Sequence, residues 1–560
     1  MMRKALLLLV TLFYILHAEW RLGIDGANPQ FASIISEIGN SVSGINLVKW
    51  EDIEPEPPDS SHYYDFELLD SLVCTFQTYG LELQINIKCI SPWGCAGYDT
   101  GTGEHSYPPA DSFWDDYGRF VASLVERYDG DGYNDMPGLI IPIRYYQIES
   151  EAGHFFRGTA EEYVRLLETA YQHAKSADSN VVIMCAGWNP GDLFVDDPPE
   201  DVINDRIHSS PYIQHRFEFI RYILQFGKDF FDVLTIHPSA HYTGIVPAVR
   251  YFRNLMSEFG YSKPIWADDM ASGFLEFHFF MPEPIPSDAE QIHSILSDPS
   301  DSRYDSVLSY YFALQSEFLI KRLSLAFAGG MEKVFVSTDV DWNYYYIDGW
   351  RHQGMIYINP VEPSEFYQKP CFYSYQIFAN MCEDFANVED LSQPERGLYI
   401  IRFEFAASSP LEVMWSDSGD TFISPDFGYP LRVKHIVTQL DEYYNPVIPP
   451  DDTIYSGYIL LTSQPIFMTS LTAVNVEKYK HSTNQERIKV YPQPFTDYCT
   501  IFSDISLANY LNIYDLSGNI VARFEIPPRT PFKWSPPASL PAGTYIFNLA
   551  GHSKIIYYLR

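Results

Sequence analysis

The chain is 560 residues long, with 46% hydrophobic and 20% charged residues, a balance typical of folded proteins and unlike that of a largely disordered chain. Its formal net charge of −36 argues against nucleic acids and anionic membrane surfaces as partners, because these also carry negative charge. Aromatic residues make up 16% of the chain, which suits a neutral ligand with a stackable face, such as a sugar, but also a large core.

The amino terminus has the order of features found in secretory signal peptides. Arg3 and Lys4 precede an apolar run over residues 5–16, and Ala18 provides a small-residue cleavage site. We therefore predict a signal peptide over residues 1–18. An uncleaved anchor is the alternative, although the run is short for a hydrocarbon core of ~30 Å. Later apolar stretches are shorter than a membrane span, so no stable span is expected.

Residues 20–385 alternate short apolar strands with longer segments of helical periodicity. The strands are predicted over residues 22–25, 43–50, 81–90, 140–151, 181–186, 232–237, 264–269 and 333–339. The helices are predicted over residues 65–79, 112–128, 160–177, 216–226, 248–259 and 308–328. About eight such units predict an α/β fold, a (β/α)8 TIM barrel over residues 19–387. A doubly wound open sheet is the alternative, but no glycine-rich phosphate loop follows the first strand.

Polar residues end several of these strands, and in a barrel the carboxyl ends of the strands carry function. They are Gln147, Glu149 and Glu151 after the fourth strand, His237 after the sixth, and Asp268 and Asp269 after the seventh. Because side chains alternate along a strand, the first three are predicted to share the inner face. Burying them unpaired would cost several kcal/mol, so the sequence predicts a polar, partly solvated site.

Motifs along the barrel resemble retaining glycoside hydrolases of the (β/α)8-barrel clan A type. They are residues 44–55 with Trp50, residues 64–81 with Tyr64, Leu69-Asp70 and Tyr79-Gly80-Leu81, the Lys-Pro-Ile-Trp run at 263–266, and His237. The resemblance implies a carbohydrate substrate and no cofactor. It implies that Glu151 is the general acid/base, and that the nucleophile position falls on Asp269, beside Asp268.

Two positions depart from the pattern of that family. Ser150 replaces an Asn that holds the 2-hydroxyl of the sugar, and Asp269 replaces a Glu, which shortens the arm by one methylene. Three interpretations follow. The chain is a retaining hydrolase with an adjusted pocket, an inverting hydrolase with a wider carboxyl gap, or a catalytically inactive barrel that binds glycans at the cell surface.

Other residues are candidates for lining the sugar site. They are Trp50, Trp93, Trp188, Trp342, Glu149, Ser150, His237, Tyr242 and Asp268. Glu149 is predicted to lie behind Glu151 and to raise its pKa by like-charge repulsion, as a general acid requires. His237 and Tyr242 would orient the nucleophile or shape the floor of the site, and a structural histidine is the alternative. The tryptophans would stack on sugar faces or simply anchor their loops.

Two further features concern metals and disulfides. The run Asp-Gly-Asp-Gly-Tyr-Asn-Asp at 129–135 resembles the start of a calcium loop, but Ile140 stands where the twelfth-position Glu belongs. We predict a polar helix-to-strand turn there and no metal ligand. Among seven cysteines, Cys89 with Cys95 or Cys371 with Cys382 would pair in an oxidising compartment, and scattered buried thiols are the alternative.

The carboxyl-terminal third loses helical periodicity. Short strands between turn residues predict a β-sandwich over residues 388–477, and residues 478–487 are predicted to be a linker. Residues 488–560 contain motifs at 490–495, 511–518 and 541–546 that resemble the carboxyl-terminal sorting domain of the type IX secretion system. That resemblance implies an Ig-like β-sandwich, export across the outer membrane by the secretion machinery, and a secreted or cell-surface location. A plain adhesive β-module is the alternative.

Overall fold

The structure is a computed structural model that groups the chain into two compact units, Met1–Asn475 and Val476–Arg560. It describes residues 20–38, 42–58, 61–100, 105–273, 287–341, 352–359, 362, 364–382, 384–406, 408–424, 430–471, 488–491, 499–503, 509–514, 520–526, 532–537, 540–541, 543–549 and 552–558. The predicted signal peptide, the predicted linker at 478–487 and Trp342 lie outside these residues.

Eight parallel strands close into a barrel. They are β1 (Leu22–Asp25), β2 (Val42–Lys49), β3 (Glu82–Lys88), β4 (Tyr145–Ile148), β5 (Val182–Trp188), β6 (Val233–Ile236), β7 (Ile265–Ala271) and β8 (Val334–Ser337). The barrel is closed because β1 pairs in parallel with both β2 and β8. This topology confirms the predicted α/β barrel and excludes the open sheet.

Helices surround the barrel, and six of them lie where the periodicity predicted a helix. They are α1 (Ala32–Ile35), α2 (Trp50–Ile53), α3 (Glu67–Thr78), α4 (Trp114–Tyr128), α5 (Ala152–Phe155), α6 (Ala160–Ala177), α7 (Glu200–Ile207), α8 (Pro211–Phe226), α9 (Ile245–Glu258), α10 (Ser287–Leu296), α11 (Tyr304–Ala328) and α12 (Pro370–Cys382). Local sequence sets their starts. Thr159 and Glu162 form a capping box on α6, and Ser210 caps α8 ahead of Pro211.

The interior of the barrel changes from apolar to polar along the strands. Tyr145, Trp266 and Phe335 belong to one buried apolar cluster. Two residues further along the same strands stand Gln147, Asp268 and Ser337. Successive side chains on one face of a strand are two residues apart, so the polar layer lies toward the carboxyl ends of the strands. The fold therefore delivers polar groups to the end of the barrel where a site was predicted.

Antiparallel sheets follow the barrel within the first unit. The strands are β9 (Ile356–Ile358), β10 (Phe366–Gln368), β11 (Asn387–Asp390), β12 (Leu398–Glu404), β13 (Leu411–Ser416), β14 (Thr421–Ile423), β15 (Leu431–His435), β16 (Asp452–Ile454), β17 (Ile459–Leu461) and β18 (Ile466–Ser470). They form a hairpin of β9 and β10, a six-stranded sheet in the order β11-β12-β13-β18-β15-β16, and a β14-β17 pair. The predicted β-rich character is confirmed, and the sandwich arrangement stays a prediction.

The second unit is also built from antiparallel strands. They are β19 (Ile488–Tyr491), β20 (Cys499–Ser503), β21 (Asn509–Tyr514), β22 (Ile520–Ile526), β23 (Phe532–Trp534), β24 (Gly543–Leu549) and β25 (His552–Tyr558), in sheets ordered β19-β20-β23 and β22-β21-β24-β25. Its role in sorting stays a prediction. Across the described ranges of the whole chain, the helices fall short of the length and hydropathy of a membrane span.

Candidate active site

Glu151 stands just beyond the end of β4, in a backbone conformation that few residues other than glycine adopt. The strand ends at Ile148, and both Glu149 and Glu151 have positive φ angles, of 65° and 43°. Such conformations cost about 1–3 kcal/mol each and are concentrated at functional sites. They also break the alternation of side chains, so the prediction that Gln147, Glu149 and Glu151 share one face is wrong.

Glu149 is fully buried and bonded on both carboxylate oxygens. Oε1 accepts a hydrogen bond from the backbone N–H of Cys89 at 2.7 Å, and Oε2 accepts one from the Ser106 hydroxyl at 2.6 Å. Lys88, itself 2% exposed, places its ammonium 3.0 Å from Oε2. These contacts join the end of β4 to the end of β3 and to the segment at Ser106. Both carboxylate oxygens of Glu149 therefore already accept hydrogen bonds from the protein, which leaves neither oxygen free for a sugar.

His237, which follows β6, joins the acidic residues of two strand ends. Its Nδ1 lies 3.1 Å from Oε1 of Glu151 and 3.7 Å from Oδ2 of Asp269, while its Nε2 lies 3.3 Å from Oδ1 of Asp268. The side chains of His237 and Asp268 are 3% and 2% exposed, whereas that of Asp269 is 40% exposed. Asp269 is therefore the acidic residue of β7 that reaches solvent, and Asp268 supports the imidazole from behind.

These two contacts limit the separation of the candidate catalytic carboxylates. Oε1 of Glu151 and Oδ2 of Asp269 are held by one nitrogen at 3.1 and 3.7 Å, so they lie at most about 6.8 Å apart. Retaining glycosidases place their carboxyl groups ~5–5.5 Å apart, and inverting enzymes ~6.5–9.5 Å apart. For these two oxygens, the limit of about 6.8 Å is compatible with the retaining spacing and with the lower end of the inverting range.

The charged groups around Glu151 contradict the prediction that its pKa is raised. Burial acts to raise the pKa of Glu151, but the hydrogen bond and charge of His237, with Arg216, lower that pKa to about 2. The prediction that Glu149 raises this pKa is therefore wrong. Burial lowers the pKa of His237, yet Asp268, Glu151 and Asp269 together raise it well above its usual value. Although its side chain is 40% exposed, the surrounding protein, with Glu151 and Asp268, raises the pKa of Asp269, against the lowering effects of His237 and of a hydrogen bond with Ser337.

Most of the predicted aromatic lining residues are packed inside the protein. Trp50 is fully buried, and Trp188 is 3% exposed. Trp93 is partly buried, with its Nε1 donating to the carbonyl oxygen of Glu54 at 3.0 Å and its ring 4.7 Å from that of Trp50. Trp50 and Trp188 therefore anchor loops and present no face to a sugar. Trp93 keeps an exposed part, and Trp342 lies outside the described residues.

Tyr242 also lies away from the candidate site. It is 4% exposed, and its hydroxyl donates a hydrogen bond of 2.6 Å to Asp417, in the turn after β13. The same carboxylate receives the ammonium of Lys321 from α11 at 2.9 Å. Tyr242 therefore links the barrel to the following sheet, so its predicted place in the sugar floor is wrong. Ser150 is half-buried between Glu149 and Glu151.

Two residues that the sequence analysis missed hold this site in place. Arg216, on α8, places Nη2 3.4 Å from Oε2 of Glu151. Arg322, on α11, is fully buried and donates to the carbonyl oxygens of Gly273 and Ala240 at 3.1 and 3.0 Å. Arg322 thereby ties the segment after β6 to the end of β7. Arg216 stands among other polar residues of its predicted helix, so it gave no signal that distinguished it from a solvated residue.

The carboxylates of Asp129, Asp131 and Asp135 form the one compact group of potential metal ligands found in the described ranges. Their oxygens lie within 4.8 Å of one another. The backbone N–H groups of Gly130 and Gly132 donate to Asp135 at 2.9 and 2.7 Å. The loop therefore has the internal hydrogen bonds of the predicted turn, and it precedes β4, at the opposite end of that strand from Glu151. His237 and its carboxylates do not form such a group.

The fold is similar to that of solved glycoside hydrolases. A family 39 glycoside hydrolase from Bacteroides cellulosilyticus matches with a TM-score of 0.54 at 14% identity, covering 80% of each chain. A glucosidase from Croceicoccus marinus (TM-score 0.48, 12% identity, 81% of this chain and 96% of that one) and a family 39 β-xylosidase from Caulobacter crescentus (0.47, 12%, 81% and 98%) also match. No protein-family model and no curated protein sequence matches.

Proposed function

We propose that this protein hydrolyses O-glycosidic bonds of an oligo- or polysaccharide at the carboxyl end of its barrel. The observation that carries the proposal is the meeting of Glu151 and Asp269 at His237, with their facing oxygens at most about 6.8 Å apart. The barrel fold shared with a family 39 glycoside hydrolase supports it. A closed parallel barrel hosts many reactions, so the carboxylate pair, and not the barrel alone, supports this one.

In the proposed reaction each group has one task. Asp269, the more exposed carboxylate, attacks the anomeric carbon or stabilises the positive charge that develops there. Glu151 gives a proton to the departing glycosidic oxygen and then removes one from the attacking water. His237 is hydrogen-bonded to Glu151 and within ion-pair distance of Asp269, so it holds the two carboxylates near each other, and Asp268 forms an ion pair with the far side of its ring.

One observation favours a second candidate, a barrel that binds glycans without cleaving them. With its pKa lowered to about 2, chiefly by His237 acting against the effect of burial, Glu151 is ionised in the free protein at neutral pH. A general acid must carry a proton when the bond breaks. Hydrolysis therefore requires that substrate binding return a proton to Glu151, whereas glycan binding alone makes no such demand.

The deciding experiment compares wild type with Glu151→Gln on a panel of aryl glycosides and oligosaccharides. We expect turnover in the wild type, a loss of at least 10³-fold in the variant with natural leaving groups, and formation of the retained anomer by NMR. Glu258→Gln is the matched control, because Glu258 is exposed on α9. Binding without turnover would select the glycan-binding candidate, and equal turnover in wild type and Glu151→Gln would overturn the assignment of Glu151.

We propose further that the protein is secreted or displayed at the cell surface, through a signal peptide at residues 1–18 and sorting by residues 488–560. The motif residues at 511–514 lie on β21, an inner strand of the four-stranded sheet. The test is fractionation of cells that express the full chain or a chain lacking residues 488–560. Retention of the shortened chain in the periplasm would support the proposal, and equal export of both chains would contradict it.

A further inference from the structure

Glu151 has two carboxylate oxygens that face different surroundings. Oε1 faces His237 and, through it, Asp268 and Asp269. Oε2 faces Arg216 at 3.4 Å. A general acid stands between the sugar that is attacked and the group that leaves. Because Asp269 marks the side of the attacked sugar, Arg216 marks the side of the leaving group.

Basic and imidazole side chains surround this second side. We name the set Arg216, Arg157, His154 and His105 the basic rim. His154 lies on α5, the helix that begins directly after Glu151. Its Nδ1 is 2.6 Å from the hydroxyl of Tyr212. Burial lowers the pKa of His154, Glu151 opposes this, and Arg216, Arg157 and His105 lower it further. Each of the other three groups of the basic rim is thus close enough to His154 to interact with it electrostatically.

The basic rim has more hydrogen-bond donors than there are acceptors for them among the described residues. Nε of Arg216 is buried and has no hydrogen-bond partner among those residues. Arg157 is exposed and its guanidinium contacts Nε2 of His105, whose Nδ1 lies 2.7 Å from Asp99. This chain of contacts makes His105 a donor to Asp99 and an acceptor from Arg157. The guanidinium of Arg216 therefore has one N–H, at Nε, that is left without a partner, and an anion would satisfy it.

A flat surface for a sugar ring accompanies these donors. The side chain of Tyr212 is 49% exposed, and the guanidinium of Arg216 lies 5.5 Å from its ring centroid. The ring of His154 meets that of Tyr212 at a centroid distance of 5.8 Å. An aromatic face next to forked N–H donors suits a sugar that carries a carboxylate.

We propose that the basic rim binds an acidic sugar, a residue with a carboxylate group such as a uronic acid, on the leaving-group side of Glu151. The inference rests on the proposed function, because the side is assigned from the role of Glu151. It revises the neutral sugar that the composition favoured. The net charge of −36 does not prevent an acidic sugar from binding at the basic rim, because charges further away than ~8 Å are largely screened at physiological salt.

Binding of such a group has a consequence for the reaction. A carboxylate that takes the hydrogen bonds of Arg216 competes with Oε2 of Glu151 for the same guanidinium. The Arg216 charge is one of the influences that lower the pKa of Glu151, besides the larger effect of His237 and against that of burial. The acidic substrate thereby favours protonation of Glu151, which the proposed hydrolysis requires.

The test uses pairs of probes that differ only in charge. Trimers of galacturonate and of mannuronate, and a glucuronate-substituted xylotriose, are each titrated against the full-length protein by calorimetry beside their own methyl esters. We expect at least one acid to bind tenfold or more tightly than its ester. Arg157→Gln should remove most of that advantage, whereas Arg303→Gln, at an arginine 56% exposed after α10, should preserve it.

The outcomes separate this inference from the proposed function. If no acid binds more tightly than its own ester, or if the advantage survives unchanged in either Arg157→Gln or Arg216→Gln, the inference is overturned. Turnover of neutral substrates that Glu151→Gln abolishes would in that case leave the hydrolase standing. An advantage of the acids without any turnover would support the basic rim and reject the hydrolase.

Discussion

Gly187 leaves the space that the imidazole of His237 occupies. A Cβ atom at position 187, on β5, would lie 1.8 Å from Nε2 of the ring. Real Cβ atoms do not approach other atoms so closely, so any other residue at 187 would push His237 away from Glu151 and Asp268. The position of His237 therefore depends on a glycine in a neighbouring strand.

Gly187→Ala should remove activity while preserving the fold. A shift of the ring by about 1 Å misplaces the hydrogen bond to Glu151, for which we expect a fall of ~10²-fold in kcat/KM. The added methyl group should also destabilise the protein by ~1–3 kcal/mol through overpacking. The measurements are steady-state kinetics and thermal unfolding.

Gly153→Ala is the control for this variant. A Cβ at position 153, on α5, has its nearest neighbour at 3.4 Å, an ordinary contact with Arg216. Alanine also favours a helix over glycine, so this variant should keep its activity and its Tm. Full activity in Gly187→Ala would contradict the role given to His237.

The contribution of His237 to stability should depend on pH. The raised pKa of His237, set by Asp268, Glu151 and Asp269 against burial, stabilises the fold below ~pH 6.5 and loses this effect as pH rises through the folded-state value. The lowered pKa of Glu151, near 2, stabilises the fold above ~pH 4.3 and loses this effect toward pH 2. The stabilising contributions of His237 and of Glu151 are both fully present between about pH 4.3 and 6.5.

We therefore expect the Tm difference between wild type and His237→Gln to be largest at about pH 5–6. It should shrink at alkaline pH, because the neutral imidazole no longer balances the three carboxylates. The measurement is the Tm of both proteins from pH 4 to pH 10. A difference that does not vary with pH would show that His237 acts by packing alone.

The sequence was a good guide to the barrel and to the ends of its strands. Periodicity of apolar residues is a local property, so the eight strands and six of the twelve described helices followed from it. His237, Asp268 and Asp269 met Glu151 because the carboxyl ends of parallel strands share one edge of the barrel. Topology alone brings these residues together.

The backbone conformation at the site and the burial of its aromatic residues could not be predicted from the sequence. The left-handed conformation of Glu149 and Glu151 is imposed by their surroundings, since glutamate has no local preference for it. The sequence likewise does not show whether a tryptophan faces solvent, and Trp50 and Trp188 proved to be buried. Arg216 entered the site from a helix surface that resembles any solvated surface.

Asp417 should be important for the contact between the barrel and the sheet that follows it. It accepts hydrogen bonds from Tyr242 and from Lys321, whose side chain is 3% exposed. Asp417→Ala leaves that ammonium buried and unpaired, which costs ~3–5 kcal/mol in a fully buried pair. Because the side chain of Asp417 is 27% exposed, we expect about 2 kcal/mol, measured by urea unfolding. The double variant Lys321→Met, Asp417→Ala should recover part of the loss, and no recovery would contradict the pairing.

The cysteines should differ in their ability to form disulfides. The Sγ atoms of Cys89 and Cys95 lie 3.6 Å apart, so a small rotation brings them within bonding distance. Cys371 and Cys382 lie eleven residues apart on α12, which separates them by ~16 Å and excludes a bond within the chain. Mild oxidation should therefore link only the peptides of Cys89 and Cys95, and raise stability by about 2 kcal/mol. Mass mapping of the oxidised protein is the measurement, with Cys95→Ser as control.

Asp269→Glu should increase the rate of hydrolysis. Asp269 stands where the resemblance to retaining glycoside hydrolases implies a Glu, so one added methylene gives this side chain the arm length that the resemblance implies for the nucleophile. The side chain of Asp269 is 40% exposed, so the longer arm has room. We expect kcat to rise about tenfold with retention of configuration, by kinetics and NMR of the first-formed anomer.

Asp268→Glu is the matched control for this lengthened arm. The same methylene is added one residue earlier, where the side chain is 2% exposed and 3.3 Å from Nε2 of His237. The extra volume there has no space, so it should displace the imidazole and lower kcat. A gain in both variants, or in neither, would show that the gap between Glu151 and Asp269 does not limit the rate. A gain in Asp269→Glu alone would identify Asp269 as the carboxylate that faces the anomeric carbon.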